Sequence, residues 1–199
     1  MVSIFKKTEL PVAYRTFKAI NTEPIRATSS LSHLKLSVIN QFFPPDYAAT
    51  GQLIEELVKQ LGQQGMDVKG FSGQPAYSNR TAVAPRLEEQ DKVTIVRSRV
   101  TRLWGARVRG KALNGLAFAL RTTLHLIKNC RRRNLVLLTT APPFLPVVGY
   151  LANRLLGIPY ICLLYDLYPD IAIELGVVSR QYWIARLWQA LNKQVWQHA

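Results

Sequence analysis

The chain has 199 residues, 48% of them hydrophobic, which suits one domain with a sizeable core better than two packed domains. Lys and Arg number 26 against 12 Asp and Glu, so the formal net charge is +14. Residues 92–133 contain twelve of the basic residues and no acidic one. Such a span is either a solvated surface or a site for anionic lipid or phosphorylated substrates. Few aromatic residues and no nucleic-acid-binding motif accompany it, which argues against nucleic acid.

Residues 1–34 are basic, show no clear period and lack the continuous apolar run of a secretory signal. The pattern predicts a largely disordered or loosely attached extension, with one ordered domain over residues 35–199. The two cysteines, Cys130 and Cys162, have no metal-ligand spacing, which indicates reduced thiols in a cytosolic protein. No metal site is expected.

The longest uncharged run, residues 135–153, is long enough to raise the question of a membrane span. Pro142, Pro143 and Pro146 interrupt it. Because proline breaks a helix interior, the run favours a buried strand followed by a helix.

A strand, a loop and a helix are predicted in order over residues 36–61. The β-branched start of this stretch leads into a loop with two prolines, and apolar residues then recur at helical spacing. Thr50 is predicted to cap the helix, and Gly65 follows its last apolar turn. Gly51 stands near the first turn, where backbone N–H groups are free to bind an anion; simple turn geometry explains the same glycine.

Strands and helices are predicted to alternate along the residues that follow. Residues 66–71 predict a second strand, residues 72–92 a long loop over the sheet edge or the cleft, and residues 93–100 a third strand. From residue 113 to 128 an amphipathic helix with a basic polar face is predicted, because its apolar residues fall at helical spacing: Leu116, Ala117, Leu120, Leu124 and Ile127.

The last third of the chain repeats the alternation. Residues 135–140 predict a buried parallel strand, residues 145–156 a helix ending at Gly157, residues 159–166 another buried strand, and residues 182–195 an amphipathic helix. Alternating strands and helices predict an α/β fold: an open, mostly parallel, Rossmann-like sheet with helices on both faces.

In such a sheet the site lies beyond the carboxyl ends of the strands. Four segments are predicted to meet there: residues 42–51, 72–77, 139–143 and 166–174. The last contains Asp166, Asp170 and Glu174, an acidic group in a basic protein. A carboxylate at this edge is suited to accept a proton or orient a substrate, and acids at a helix N-terminus are the structural alternative.

The motifs QFFPPDYAATGQL, TTAPP and YDLYPDIAIELG resemble the N-terminal, acceptor-side domain of family 4 glycosyltransferases, in particular the exopolysaccharide and colanic-acid enzymes. The resemblance covers residues 35–199 and implies one half of a GT-B fold. It implies transfer of a sugar from a nucleotide-sugar, with retention of configuration, to a lipid-linked glycan at the inner face of the plasma membrane. No cofactor beyond the nucleotide-sugar substrate is expected.

The resemblance also implies roles for individual residues. Asp166 and Asp46 would face the sugar or acceptor as candidate catalytic groups, and Gly51 would face the donor diphosphate. Five further residues are expected to contact substrate: Thr50, Pro142, Tyr168, Asp170 and Glu174. A basic helix over residues 113–128 would suit docking to an anionic membrane surface.

Members of that family continue into a second domain that binds the donor, whereas this sequence ends at Ala199. We therefore expect a donor-domain partner chain or an inactive protein, with Trp183, Trp188 and Trp196 exposed. The alternative is a non-catalytic membrane-surface or protein-interaction module on the same frame. A different nucleotide-binding enzyme is disfavoured, because the sequence has neither GxGxxG nor GxxxxGK[ST].

Overall fold

The computed structural model describes residues 35–75, 83–90, 92–98 and 108–199. Within these ranges one sheet contains six strands: β1 (Lys35–Ile39), β2 (Asp67–Gly73), β3 (Leu87–Gln90), β4 (Val93–Ser98), β5 (Asn134–Thr139) and β6 (Tyr160–Leu163). Their order is β3-β4-β2-β1-β5-β6, and all neighbours are parallel except β3 and β4. The predicted Rossmann-like, mostly parallel sheet is confirmed. The predicted extension over residues 1–34 lies outside the described residues.

The described helices are α1 (Ala49–Gln63), α2 (Val108–Asn129), α3 (Leu145–Leu156), α4 (Asp170–Glu174) and α5 (Trp183–Gln197). One hydrophobic core lies between α1 and the sheet and includes Ile54 and Val58. A second core lies on the other face, where α2, α3 and α5 contribute Phe118, Val148 and Val195. Helices therefore cover both faces of the sheet, as predicted.

The central strand β1 is buried on both faces, and its side chains alternate between the two cores. Leu36 and Val38 belong to the core under α1, whereas Ile39 belongs to the core under the other helices. A strand enclosed in this way carries a near-continuous apolar sequence. This is why the sequence marks β1 and β5 clearly.

The start of α1 differs from the prediction. Helix α1 begins at Ala49, and its N-cap residue Ala48 makes no side-chain hydrogen bond. The predicted cap by Thr50 is wrong, because Thr50 already lies in the first helical turn. The C-terminal end of α1 agrees with the prediction, since Gly65 follows the helix. Its φ is 92°, a conformation that glycine adopts without strain.

The edge strand β3 was predicted as part of a loop over residues 72–92. Instead, β2 continues to Gly73 and β3 pairs antiparallel with β4. Three of the four residues of β3 are polar, so no apolar alternation marks it. The side chain of Gln74 bonds to both backbone groups of Ala84, at 3.0 and 3.1 Å, and fixes one end of the connection.

Helix α2 is amphipathic, but its apolar stripe is not the face that packs on the sheet. The buried residues are Gly115, Phe118, Ala119, Thr122 and Leu126. A small residue is needed at position 115, because a Cβ at Gly115 would lie 3.1 Å from Pro142 Cβ. The apolar residues on the outer side are exposed: Leu113, Leu116, Leu120, Leu124 and Ile127.

The three tryptophans of the C-terminal helix have different environments. Trp183 is exposed, as predicted. The prediction is wrong for the other two: Trp188 stacks on Tyr168 with ring centroids 6.0 Å apart, and Trp196 packs against the core under α5. Two of these large side chains thus stabilise the docking of α5 on its own domain.

The uncharged run over residues 135–153 forms β5 and most of α3, as the interrupting prolines indicated. Among the described helices, none combines the length and the apolar character that a membrane crossing requires. Cys130 and Cys162 are free thiols, and burial raises the pKa of both, that of Cys162 to about 12.

The contrast between Leu126 and Leu120 is testable. Leu126 is 1% exposed and Leu120 is 63% exposed on the same helix. Leu126→Ala should lower the free energy of unfolding by about 2–5 kcal/mol, because it opens a cavity in the core. Leu120→Ala should change it by less than about 0.5 kcal/mol. Urea unfolding measures both, and the opposite order of effects would show that the stripe is the buried face.

The stability of the fold should also depend on the protonation of His125. Its ring stacks on Phe71 with centroids 4.3 Å apart. Burial, with a smaller effect of Lys69, lowers the pKa of His125 from 6.5 to about 4. The unfolded chain therefore binds this proton at higher pH than the folded protein, so the free energy of unfolding should fall as pH drops from about 6.5 to about 4.

Urea unfolding of wild type and His125→Gln at pH 7.5 and 4.5 checks this. We expect the stability difference between the two proteins to shift by about 1–2 kcal/mol in favour of the variant at the lower pH, after allowance for partial exposure. The exposed His198 provides the control substitution, His198→Gln. A pH-independent difference for His125→Gln would contradict the buried neutral imidazole.

Candidate functional site

The connectivity of the sheet places a topological switch point between β1 and β5, and we call the region beyond the carboxyl ends of these two strands the crevice. From β1 the chain crosses to β2 on one side, and it later returns to β5 on the other side of β1. The crossover helix α1 lies on one face, and α2 and α3 lie on the opposite face. The loops that follow β1 and β5 therefore diverge, and such a switch point is where α/β sheets bind ligands.

Buried hydrogen bonds connect these two loops at the base of the crevice. Thr139 Oγ1 donates to Asn40 Oδ1 at 2.8 Å, and Asn40 Nδ2 donates to the carbonyl of Phe42 at 2.6 Å. The backbone N–H of Gln41 donates to the carbonyl of Ala141 at 3.1 Å. Since Asn40 and Thr139 are both buried, this network fixes the relative position of the loops.

Thr140 positions the candidate carboxylate. Its buried Oγ1 accepts hydrogen bonds from the backbone N–H groups of Tyr165 and Asp166, at 3.1 and 3.2 Å. The backbone after β6 is thereby attached to the end of β5. Asp166 itself is exposed, so its carboxylate is available to a ligand at this edge. It can orient a hydroxyl group or accept its proton.

A buried arginine supports the loop after β1. Arg97, at the end of β4, donates from Nη2 to the carbonyl of Pro44 at 2.6 Å and pairs with Glu88 at 2.9 Å. Its guanidinium carbon lies 5.6 Å from the centre of the Phe43 ring. Nε and Nη1 have no hydrogen-bond partner among the described residues. This cation holds the proline-containing loop against the sheet.

Arg97 and Asn40 are site residues that were not predicted from the sequence. In β4, Val93, Ile95 and Arg97 alternate onto one face, so a charge at an inward position was the signal for Arg97. For Asn40 the signal was a polar residue directly after an apolar strand.

Gly51 lies where α1 passes the loop after β1. A Cβ at this position would be 3.2 Å from both the carbonyl carbon and oxygen of Phe42. Close packing of helix and loop therefore accounts for the glycine. Thr50, its neighbour in the first turn, is half-buried. Contact of Gly51 and Thr50 with a diphosphate stays a prediction.

Asp46 and Pro142 are buried within their loops. Asp46 is 1% exposed and lies in a turn in which its N–H donates to Phe43 O at 3.1 Å. Its carboxylate is thus enclosed rather than open to the crevice, in contrast to Asp166. Pro142 packs against Gly115 of α2. Both residues shape the loops that border the crevice, and their predicted contacts with substrate stay predictions.

The segment after β6 is attached to α5. Asp170 accepts a hydrogen bond from Gln189 Nε2 at 3.0 Å, and the carbonyl of Tyr168 accepts one from Asn192 Nδ2. Glu174 is exposed and lies 3.6 Å from Arg180. The three predicted acids thus have three different environments, and Asp166 is the one next to Thr140. Within the described ranges, no cluster of His, Cys, Asp or Glu could hold a metal ion.

Comparison with known proteins agrees with this geometry. Residues 49–199 match the family model described as glycosyl transferase 4-like domain. Sucrose-phosphate synthase from Thermosynechococcus elongatus superposes with a TM-score of 0.56 and 13% identity, over 81% of this chain and 40% of that chain. This likeness shows the fold, one Rossmann-like half of GT-B.

Two further structures match less closely. The E. coli structure of trehalose-6-phosphate bound with UDP-2-fluoro glucose gives a TM-score of 0.47 at 12% identity, over 81% of this chain and 38% of that chain. The structure of α,α-trehalose 6-phosphate synthase from Burkholderia multivorans gives a TM-score of 0.43 at 12% identity, over 81% of this chain and 37% of that chain. The chain thus spans about 40% of the length of the solved structures that it matches. No protein of curated function matches the sequence.

The hydroxyl of Thr140 should prove necessary for the local structure of this edge. Thr140→Val keeps the shape of the side chain but leaves two part-buried N–H groups without an acceptor, at a cost of about 1–3 kcal/mol in unfolding free energy. Exchange of the Tyr165 and Asp166 amide hydrogens should accelerate. The control is Thr123→Val, whose hydroxyl bonds only to Ala119 O of its own helix. Equal exchange rates in wild type and Thr140→Val would contradict the assigned bonds.

Proposed function

Because the chain belongs to the glycosyl transferase 4-like domain family, we propose that it is the acceptor-side half of a retaining glycosyltransferase that uses a nucleotide-sugar. The observation that carries the proposal is the crevice at the β1/β5 switch point, with Asp166 exposed at its border and attached to Thr140. A site at the carboxyl edge is where a substrate would meet several loops at once.

The residues of the crevice have distinct tasks in this proposal. Free N–H groups in the first turn of α1, around Thr50 and Gly51, approach the diphosphate of the donor. The oxygen of an acceptor hydroxyl bonds to the anomeric carbon, and the bond from that carbon to the diphosphate breaks. Asp166 orients the hydroxyl or takes its proton. The nucleotide-sugar enters as a substrate, and the proposal assigns no metal or other cofactor.

The residues that the structure describes border the crevice on one side. A second, donor-binding domain on the opposite side would exclude water and hold both substrates in line. We therefore include a donor-binding domain in the proposal, and we expect residues 1–199 to be inactive without such a domain.

For the acceptor, we propose a lipid-linked glycan of cell-envelope or exopolysaccharide synthesis. The protein would work in the cytoplasm, peripherally attached to the inner face of the plasma membrane. The regional basic charge supports this choice, since residues 92–133 carry twelve Lys and Arg and no acid. Such a field attracts anionic phospholipid and the phosphate groups of a lipid-linked sugar.

A non-catalytic module that binds a membrane surface or a protein is the second candidate. The exposed apolar stripe of α2 favours it, because this surface has no role in sugar transfer itself. The two candidates differ in nucleotide-sugar binding, which only the first requires.

Calorimetric titration with UDP-glucose and GDP-mannose tests the proposed function. The chain is titrated alone and then mixed with a donor-binding domain encoded beside it, and sugar transfer to a lipid-linked acceptor is followed in the mixture. We expect turnover only in the mixture. Asp166→Asn should lower that turnover by about 100-fold or more, as is usual for loss of an acid–base group.

The matched control is Glu89→Gln. Glu89 has an exposed carboxylate and lies on the edge strand β3, away from the crevice. It should leave turnover unchanged. Absence of binding and turnover in every mixture would remove the enzymatic assignment and leave the second candidate. Equal turnover in wild type and Asp166→Asn would remove the role of Asp166 alone.

A further inference from the structure

One face of the sheet is covered by a helix over part of its width only. Of the described helices that pack on the sheet, α1 alone lies on this face. Between β2 and β4 the described residues form the strand β3 and no helix. The outer part of this face, formed by β3 and β4, therefore has no described helix over it. Mostly parallel sheets have both faces covered as a rule, so this part of the surface is suited to another segment.

A groove lies between α1 and this outer part of the sheet. Its volume is about 120 Å³, and an engineered cavity of roughly 150 Å³ in another protein holds a benzene ring. The floor of the groove includes Phe43, Val58 and Ile95, which belong to the core under α1. Two carboxylates, those of Glu55 and Glu88, lie at its rim. The groove thus has room for about one aromatic ring between an apolar floor and an acidic rim.

The two carboxylates have partners and still face solvent. Glu55 pairs with Lys59 of the same helix at 2.9 Å, and Glu88 pairs with the buried Arg97 at 2.9 Å. The side chains of Glu55 and Glu88 remain 30% and 36% exposed. A carboxylate has about four sites that accept hydrogen bonds, so each can accept another from an incoming cation. A ligand that combines an aromatic ring with positive charge therefore fits the groove.

We propose that this groove binds the N-terminal segment of the same chain, residues 1–34, which lie outside the described residues. The segment carries five Lys and Arg against two Glu. Each of its three aromatic residues is followed directly by a basic residue, in the pairs Phe5–Lys6, Tyr14–Arg15 and Phe17–Lys18. These pairs supply the ring for the apolar floor and the cation for the carboxylates of the rim.

Residues 14–18, with the sequence YRTFK, contain two of the three pairs and are the part of the segment that binds. The ring of Phe17 enters the groove. Arg15 and Lys18 donate charge-assisted hydrogen bonds to the carboxylates of the rim. The predicted loosely attached extension thereby has one point of attachment to the domain.

The segment is long enough to reach the groove. Lys35 begins β1 at the amino edge of the sheet, and Val93 of the groove lies at the same edge. The strand β4 is two strands away from β1, at about 10 Å. Residues 19–34 connect Lys18 to Lys35 and span up to about 50 Å when extended. Phe5 would close a longer loop at a greater cost in entropy, which favours residues 14–18.

A segment of the same chain is favoured over a separate peptide of similar chemistry. The covalent connection to β1 keeps residues 14–18 near the groove and raises their local concentration there. A separate peptide would have to compete with this tethered segment. A second copy of the chain carries the same residues, and dependence on protein concentration distinguishes that case.

The groove is connected to the loop that follows β1. Phe43 is part of the groove floor, and the guanidinium of Arg97 lies 5.6 Å from its ring. Glu88 borders the groove and pairs with the same Arg97, which donates to the carbonyl of Pro44 at 2.6 Å. A segment in the groove therefore packs against two of the residues that contact Arg97, the side chain that supports this loop.

Limited trypsin digestion of the full chain tests the docking. Trypsin cleaves after Arg15 and Lys18 within the binding residues and after Lys7 outside them. The rate at each site is compared with that in a free peptide of residues 1–34. At about 0.1 M salt, cleavage after Lys18 should be about tenfold slower in the full chain than in the peptide, because only the undocked fraction is cleaved. Cleavage after Lys7 should be slowed much less, and about 0.5 M salt should reduce the protection at Lys18 by screening the charges.

Matched substitutions in the full chain locate the contact on the groove. Glu55→Lys places a cation at the rim and should remove most of the protection at Lys18. Glu56→Lys makes the same change one residue further along α1, outside the groove, and should leave the protection unchanged. Neither glutamate belongs to a hydrophobic core, so both variants should keep the wild-type unfolding midpoint.

A second pair of substitutions locates the contact on the segment. Phe17→Ala should lower the protection at Lys18 about tenfold, because the ring no longer fills the groove. Phe5→Ala removes the same ring from a residue outside the binding part and should leave the protection unchanged. Each variant is compared with a free peptide that carries the same substitution, which corrects for the preference of trypsin for the residues near the cleaved bond.

Other results would overturn the docking proposal. They are absence of protection at Lys18 in the wild type, equal effects of Glu55→Lys and Glu56→Lys, or equal effects of Phe17→Ala and Phe5→Ala. Protection that increases with protein concentration would also overturn it and would assign the groove to the segment of a second copy. None of these outcomes involves a nucleotide-sugar, so the docking and the proposed transfer reaction can fail independently.

Discussion

The central position of β1 is the constraint on which the rest of the structure depends. Its backbone pairs with β2 on one side and with β5 on the other, and its side chains enter both cores. Right-handed crossovers from such a strand place α1 on one face and the return helices on the other. The position of the crevice and the placement of α2, α3 and α5 on the face opposite α1 both follow from this arrangement. A change in the position of β1 would remove the crevice and both hydrophobic cores together.

At the carboxyl edge, buried polar groups hold loops that would otherwise diverge freely. Thr139, Thr140 and Asn40 are buried, and each uses its side chain to bond to a neighbouring loop. Arg97 holds the proline-containing loop by a hydrogen bond to the carbonyl of Pro44, and it forms an ion pair with Glu88. Burying such groups is costly without partners, so the network is stable only when the loops are in place. The exposed carboxylate of Asp166 depends on this frame for its position.

The two sides of the domain have different surfaces for a physical reason. Gly115, Ala119 and Thr122 are the small residues that let α2 pack closely, whereas four of the five leucines of this helix are exposed on its outer side. Helix α2 buries these small residues together with Phe118 and Leu126, so the apolar residues that remain give the helix an apolar outer side.

The sequence by itself determined the strands β1, β5 and β6, because continuous apolar runs report burial on both faces of a sheet. It also determined the helices between these strands, because their apolar residues recur at helical spacing. It also placed Asp166 after a buried strand and indicated the family through three motifs. Only the tertiary structure showed that Thr140 holds Asp166, that Asp46 is enclosed, and that Arg97 supports the loop after β1. The tertiary structure alone also showed that the polar residues of β3 form a strand, because β4 lies beside them. It alone showed which side of α2 is exposed. Those features depend on which elements are neighbours in space, and the spacing of residues along one helix or strand carries no information about its neighbours.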